Sequence, residues 1–226
     1  MAWYLADPGG PSALWVSCVG RAGLLGGRLQ DVVQGLSRSE RGAWDVNRSF
    51  ATILMDPPWN ERGGGKKYKR GADRHYPLLR TQEMPAVIYG SGVFNPAEHA
   101  HLYMWATNSF LPDALWLMKC LGFKYKTNVV WVKEGNIGLG QYFRGQHELL
   151  LFGVRGRGPL VRTERRNLPS VLQAPRGRHS AKPPESHELI EARSNGPYLE
   201  MFARCQRHGW TSWGNEAKSA CVLDSD

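Results

Sequence analysis

Cysteine is scarce in this 226-residue chain, and the four present do not cluster. Cys18, Cys120, Cys205 and Cys221 form no CxxC knuckle, and none stands near histidines at the spacing of a zinc site. The expectation is reduced thiols in an intracellular protein that carries no metal. Long apolar runs are missing as well. None approaches the ~20 residues needed to cross a bilayer, so no membrane partner is expected. The first residues carry an acid early and no basic stretch before an apolar one, so no signal peptide is expected. Acidic residues are outnumbered, 20 against 29 Lys and Arg, which leaves a net charge of +9. No internal repeat is present. The hydrophobic share of 42% argues for a packed core rather than disorder.

What is there is positive charge in two places. Residues 61–80 are rich in glycine, Lys and Arg and carry a net +5. Residues 155–182 hold seven arginines and Lys182 against Glu164, a net +7. The rest of the chain is slightly acidic. Concentrated basic segments with glycine and proline suit a polyanion, although two solubilising loops would read the same way.

Periodicity is weak over 1–49, where VVQGLSRSERGAWDVN could form a short helix. From residue 50 it sharpens. FATILM is a continuous apolar run, the pattern of a strand buried on both faces. HLYMWAT (101–107), NVVWVK (128–133), HELLLFGV (147–154) and SVLQAP (170–175) read as further strands. So do YLEMFA (198–203) and GWTSWGN (209–215). SFLPDALWLMKCLGF (109–123) has helical spacing, with Ser109 as the expected N-cap and Gly122 as the stop. KPPESHELIEARS starts a second helix behind its prolines. Strands alternating with helices predict an α/β fold, a mostly parallel sheet with helices on both faces. Ligands in such folds sit beyond the carboxyl ends of the strands.

DPPW, residues 56–59, begins at such an end. Two prolines make a stiff turn whose carbonyls are fixed in direction. An exocyclic amine on a base has two N–H donors, which Asp56 and the Pro57 carbonyl could accept while Trp59 stacks on the ring. That describes a pocket for a flipped-out base bearing an amino group. A strand terminator closed by a core tryptophan would have the same sequence. GNIGLG (135–140) follows a strand but leads into no convincing helix, and reads as a flexible gate rather than a dinucleotide loop.

Several segments together carry a resemblance. LMDPPW, the HLYMWAT to WVKEG stretch, GQYFRGQHELLLFGVRGRG, RGRHSAKPPESHELIE, YLEMFAR and WTSWGNE occur in order along residues 50–216. They resemble the adenine-N6 methyltransferase family founded on the seventy-kilodalton catalytic subunit of the eukaryotic mRNA adenosine methyltransferase. Short bacterial and phage members of that family are thought to act on DNA. The resemblance implies a Rossmann-like fold of seven strands, with a permuted motif order in which the catalytic motif precedes part of the cofactor site. It divides the chain into an N-terminal extension (1–49), a methyltransferase domain (50–216) and a tail (217–226).

The resemblance also implies roles. Asp56, Pro57, Pro58 and Trp59 would be catalytic. The cofactor would be S-adenosylmethionine, its methionine carboxylate on Lys182 and its ammonium facing Asp56. Arg204 and Asn215 would hold its ribose and adenine. Glu200 would belong to the same site by orienting Arg204, and Glu216 stands where eukaryotic relatives have glutamine. Asp45 and Val46 would contact the adenine. His147–Glu148 either shapes the site or is half-buried structure.

DNA, with RNA as the alternative, would be gripped by the first basic loop through Lys66, Lys67, Tyr68, Lys69, Arg70, His75 and Tyr76. Arg144, Arg165, Arg166, Arg176 and Arg178 would add to that grip. Three other activities remain open: an RNA adenosine enzyme, a cytosine-N4 enzyme and a non-catalytic nucleic-acid-binding subunit. The oligomeric state, monomer or dimer with a related subunit, is open too.

Overall fold

The computed structural model describes residues 48–59, 80–135, 142–157, 164–165, 167–177, 181–217 and 219–221. The expected helix before residue 48 and the first basic loop lie outside them.

Among the described residues seven strands form one sheet, in the order β5-β3-β4-β2-β1-β6-β7. They are β1 Phe50–Met55, β2 Pro96–Ala106, β3 Lys124–Glu134, β4 His147–Arg155, β5 Val171–Pro175, β6 Tyr198–Met201 and β7 Trp210–Trp213. β1 runs parallel to β2 and β6, β6 to β7, and β3 to β5. Only β4 is reversed, antiparallel to both β2 and β3. The sheet is therefore the mostly parallel one expected.

The continuous apolar run of β1 follows from its central place. Ile53 and Met55 enter one core cluster, and Leu54 enters the other. On the first face lie α1 (Met84–Gly90) and α2 (Leu111–Cys120), which supply Val87, Ile88, Leu117 and Met118. On the second lies α3 (Glu185–Arg193), whose Ile190 packs with Leu54, Trp105 and Trp210. Each such buried side chain contributes about 1.5–3 kcal/mol.

Strand register lines up the edge that matters. Met55 pairs with Met104 and with Met201, and Met201 pairs with Trp213. The carboxyl ends of β2, β1, β6 and β7 thus lie level. Because β4 is reversed, its amino end joins them: Glu148 pairs with Trp131, near the end of β3.

Three local expectations need correction. Ser109 is not an N-cap; it lies inside a 3-10 turn, Asn108–Phe110, and α2 begins at Leu111. Pro112 sets that start, since proline fits only the first helical turn. The seven-residue α1, with Pro85 in its first turn, was not expected. Reduced thiols were expected throughout, yet Cys205 and Cys221 form a disulfide. A bridge between Gln206 and Ala220 carries the tail alongside Cys205, with Cys221 N–H donating to Gln206 O at 3.0 Å. Cys120 is a buried thiol.

Candidate active site

Beyond Met55 the chain turns at once. Asp56 N–H reaches back to Met201 O (3.5 Å), tying the ends of β1 and β6. Pro57 is buried, and its carbonyl accepts the Trp59 N–H at 2.8 Å. That uses one of the carbonyl's two lone pairs.

Trp59 is not an open stacking face. Its side chain is 7% exposed, its ring lies parallel to Phe110 at 5.6 Å, and Nε1–H donates to Trp105 O at 3.1 Å. The buried indole anchors the turn to the end of β2, and the turn in turn aims Asp56.

Asp56 meets an alternating chain of charge. Lys182 Nζ donates to Asp56 Oδ2 at 2.8 Å and lies 3.4 Å from Glu148 Oε2. The other Glu148 oxygen is bound by Lys133. Trp105 and Trp131 floor the two ammonium groups, at 5.7 and 5.0 Å from their ring centres. Two carboxylates and two ammonium ions make the cluster neutral overall.

Burial alone would lower the Lys182 pKa, but the Asp56 and Glu148 carboxylates overcome it and hold the group above the ordinary lysine value. Burial would likewise raise Glu148, but Lys182 and Lys133 overcome it and hold the carboxyl below its usual range. Both residues are thereby kept charged in a nearly enclosed site.

The other candidates lie at or just past the ends of β6 and β7. Arg204 follows β6 closely enough that its charge works against that of Lys182. Asn215 and Glu216 are exposed just past β7. Gly214 places them: a Cβ there would lie 2.2 Å from Ala203 O, so only glycine lets the two strand ends come this close. Ala203 N–H donates to Trp213 O across the same gap (2.9 Å). Glu200 points to α3, where its Oε2 accepts from His187 Nε2 at 3.1 Å.

At the β4 side, Asn108 Nδ2 donates to His147 Nε2 at 3.1 Å. Two buried side-chain atoms, Thr107 Oγ1 and His187 Nδ1, have no hydrogen-bond partner among the described residues. Among those residues there is also no group of three or more His, Cys, Asp or Glu able to hold a metal, and no helix long and apolar enough to cross a membrane.

Of the expected nucleic-acid contacts, Arg144, Arg165 and Arg176 are described and exposed. Asp45, Val46, Lys66, Lys67, Tyr68, Lys69, Arg70, His75, Tyr76, Arg166 and Arg178 lie outside the described residues, as do positions 136–140 of the glycine-rich run. Sequence reasoning left Glu148 undecided and passed over Lys133. The nearest signal was alternation: WVK and HE end facing strands with an acid and a base that can pair across them.

Comparison with known proteins gives this edge a context. The MT-A70 family profile matches residues 50–216. The chain is 30% identical over 191 residues to the type II methyltransferase M.MunI of Mycoplasma sp., covering 75% of this chain and 78% of that protein. It is 29% identical over 195 residues to the human N(6)-adenine-specific methyltransferase METTL4, covering 76% of this chain but 38% of that protein. A putative N(6)-adenosine-methyltransferase MT-A70-like protein of Medicago truncatula is 25% identical over 190 residues, across 80% of this chain and 28% of its own length.

Proposed function

Since the chain belongs to the MT-A70 family, we propose that it transfers the methyl group of S-adenosylmethionine to the N6 amine of adenine in DNA, on a base turned out of its stack. The observation that carries this reading is the Asp56–Lys182 pair, 2.8 Å apart where β1 ends.

The donor set suits the cofactor. An adjacent carboxylate and ammonium are complementary to the methionine zwitterion, ammonium to Asp56 and carboxylate to Lys182. Arg204, Asn215 and Glu216 offer donors and acceptors to a ribose and a purine. Thr107 Oγ1, one residue past β2, has no partner among the described residues and offers a hydroxyl. Bound at this edge, the cofactor would supply a methyl group made electrophilic by its sulfonium.

The side chains then have separate tasks. Asp56 accepts one N–H of the adenine amine, and the second lone pair of the Pro57 carbonyl accepts the other. Both contacts push electron density onto a nitrogen whose lone pair is otherwise delocalised. When N6 took the methyl group and the sulfonium left as a neutral thioether, the Asp56 carboxylate would oppose the positive charge on the nitrogen. N6 then gives up a proton to water. Lys182, held between Asp56 and Glu148, keeps the Asp56 carboxylate in place. The buried Trp59 keeps the turn in place, so nitrogen and methyl are aligned rather than gathered at random.

DNA is favoured over RNA by the breadth of the match, which reaches 78% of the type II methyltransferase M.MunI. The plant adenosine methyltransferases, matched over 28% and 25% of their lengths, support RNA as the second reading.

Transfer of labelled methyl to unmethylated DNA and RNA, with products identified by nucleoside mass spectrometry, tests both. N6-methyldeoxyadenosine is expected from the wild type. Asp56→Asn should reduce its formation at least ~100-fold. Label on RNA alone would select the second reading. Methylcytosine, or no transfer to either polymer, would overturn the assignment.

A further inference from the structure

A base that leaves its stack exposes the faces of its two neighbours, and among the described residues the ring of the turn itself, Trp59, is buried and not open to them. Two rings elsewhere on this edge are not. Tyr142 is 93% exposed and Phe143 is 91% exposed, side by side in the segment that leads into β4. The other exposed large hydrophobics among the described residues, Trp116, Tyr125 and Val171, keep more than half their surface covered, at 37–46% exposure. Two adjacent aromatic side chains left almost wholly in water forgo the burial that normally orders such residues.

We propose that Tyr142 and Phe143 stack on the DNA bases that flank the extruded adenine, with Arg144 on the adjoining phosphate. This rests on the methyl-transfer reading above and extends it to how the substrate is held.

Position supports the assignment. The stem that follows the rings is held at two points. Lys133 N–H donates to Gln146 O (2.8 Å) from β3, and the Arg176 guanidinium donates to Gly145 O (3.0 Å) from the end of β5. The rings therefore project from a held base. Five residues on from Phe143, Glu148 meets Lys182 (3.4 Å), which meets Asp56 (2.8 Å). Five residues reach at most about 17 Å, which bounds the distance from Phe143 to Glu148, the acid that shares Lys182 with the reacting carboxylate. Charge supports it too: Arg144 follows the rings in sequence and the Arg176 guanidinium is held at Gly145 O, and aromatic rings in a basic segment suit a stacked polyanion better than an apolar partner surface.

The test is direct binding, which needs no turnover. Fluorescence anisotropy with an adenine-rich labelled duplex and its single strand is compared for the full-length wild type, Tyr142→Ala/Phe143→Ala and Arg144→Ala. Stacking on two bases predicts that the double alanine variant weakens DNA binding at least ~10-fold. Its unfolding midpoint and its affinity for S-adenosylmethionine should not change, and Tyr142→Trp/Phe143→Trp should keep the wild-type affinity. The salt dependence separates the two kinds of contact. Removing the rings leaves the slope unchanged, whereas Arg144→Ala reduces it by about one.

DNA affinity within twofold of wild type in the double alanine variant would overturn the proposal. If that variant instead loses self-association, the rings belong to an interface between copies of this chain, and the proposal falls. A wild type that binds DNA through the rings but transfers no methyl would sink the reaction while leaving the stacking intact.

Discussion

Trp59 shows how far one residue's role can move between sequence and structure. A tryptophan closing a proline turn at a strand end has two uses, an open ring for a base or a plug for the core, and the sequence of the turn is the same for both. The structure puts the ring 7% exposed against Phe110, with its N–H on Trp105 O. The two uses predict different kinetics. If the indole anchors the turn, Trp59→Phe leaves Trp105 O without its donor and should cost about 1–2 kcal/mol of stability. It should also lower kcat, because Asp56 is aimed by the same turn, while KM for DNA stays near wild type. Chemical denaturation and steady-state kinetics on one preparation read both. A raised KM with unchanged kcat and stability would return the ring to the base.

At the scale of elements, legibility follows contiguity. The apolar run of β1 and the helical spacing of α2 are properties of neighbouring residues, and both read correctly. α1 was missed because seven residues with Pro85 near the start and Gly90 at the end leave too few positions for a period to show. The Cys205–Cys221 disulfide depends on a bridge between Gln206 and Ala220 that no local pattern announces. The charge chain is similar: Asp56 and Lys182 are 126 positions apart and become partners only because β1 and the segment before α3 end at one sheet edge.

The close approach of the loops after β6 and β7 is another such property, and it can be tested. In Gly214→Ala the new methyl would lie 2.2 Å from Ala203 O, against backbone rather than a flexible side chain. The loops must separate, at a cost of about 1–3 kcal/mol. Asn215 and Glu216 would move with them. Calorimetric titration should show S-adenosylmethionine affinity reduced ~10-fold or more, with kcat recovering at saturating cofactor. Affinity and melting temperature equal to wild type would show that the two loops need not touch.

For the whole molecule, the neutral cluster under the sheet edge ties stability to pH at both ends. Glu148 has a lowered pKa, so its contribution is present above the ordinary glutamate value of about 4.3 and is lost as pH falls through the lower folded value. Lys182 has a raised pKa, so its contribution is present below the ordinary lysine value of about 10.4 and is lost as pH rises through the higher folded value. Burial also pushes the Tyr103 phenol up, which adds to the alkaline limb, since the unfolded chain ionises that group first. Stability from these groups is therefore a plateau from mildly acidic to mildly alkaline pH.

Glu148→Gln isolates the acid limb. The amide leaves Lys182 and Lys133 sharing one neutral acceptor and should cost about 2 kcal/mol at pH 7. Below the ordinary glutamate value of about 4.3 the unfolded chain takes up a proton that the folded carboxylate still refuses, so the gap between the two proteins should narrow as pH falls toward the lower folded value. Urea midpoints from pH 3 to pH 8 measure it directly. Curves that stay parallel across the range would mean that the Glu148 carboxylate is not held charged by its two lysines, and the neutral cluster beside Asp56 would lose its basis.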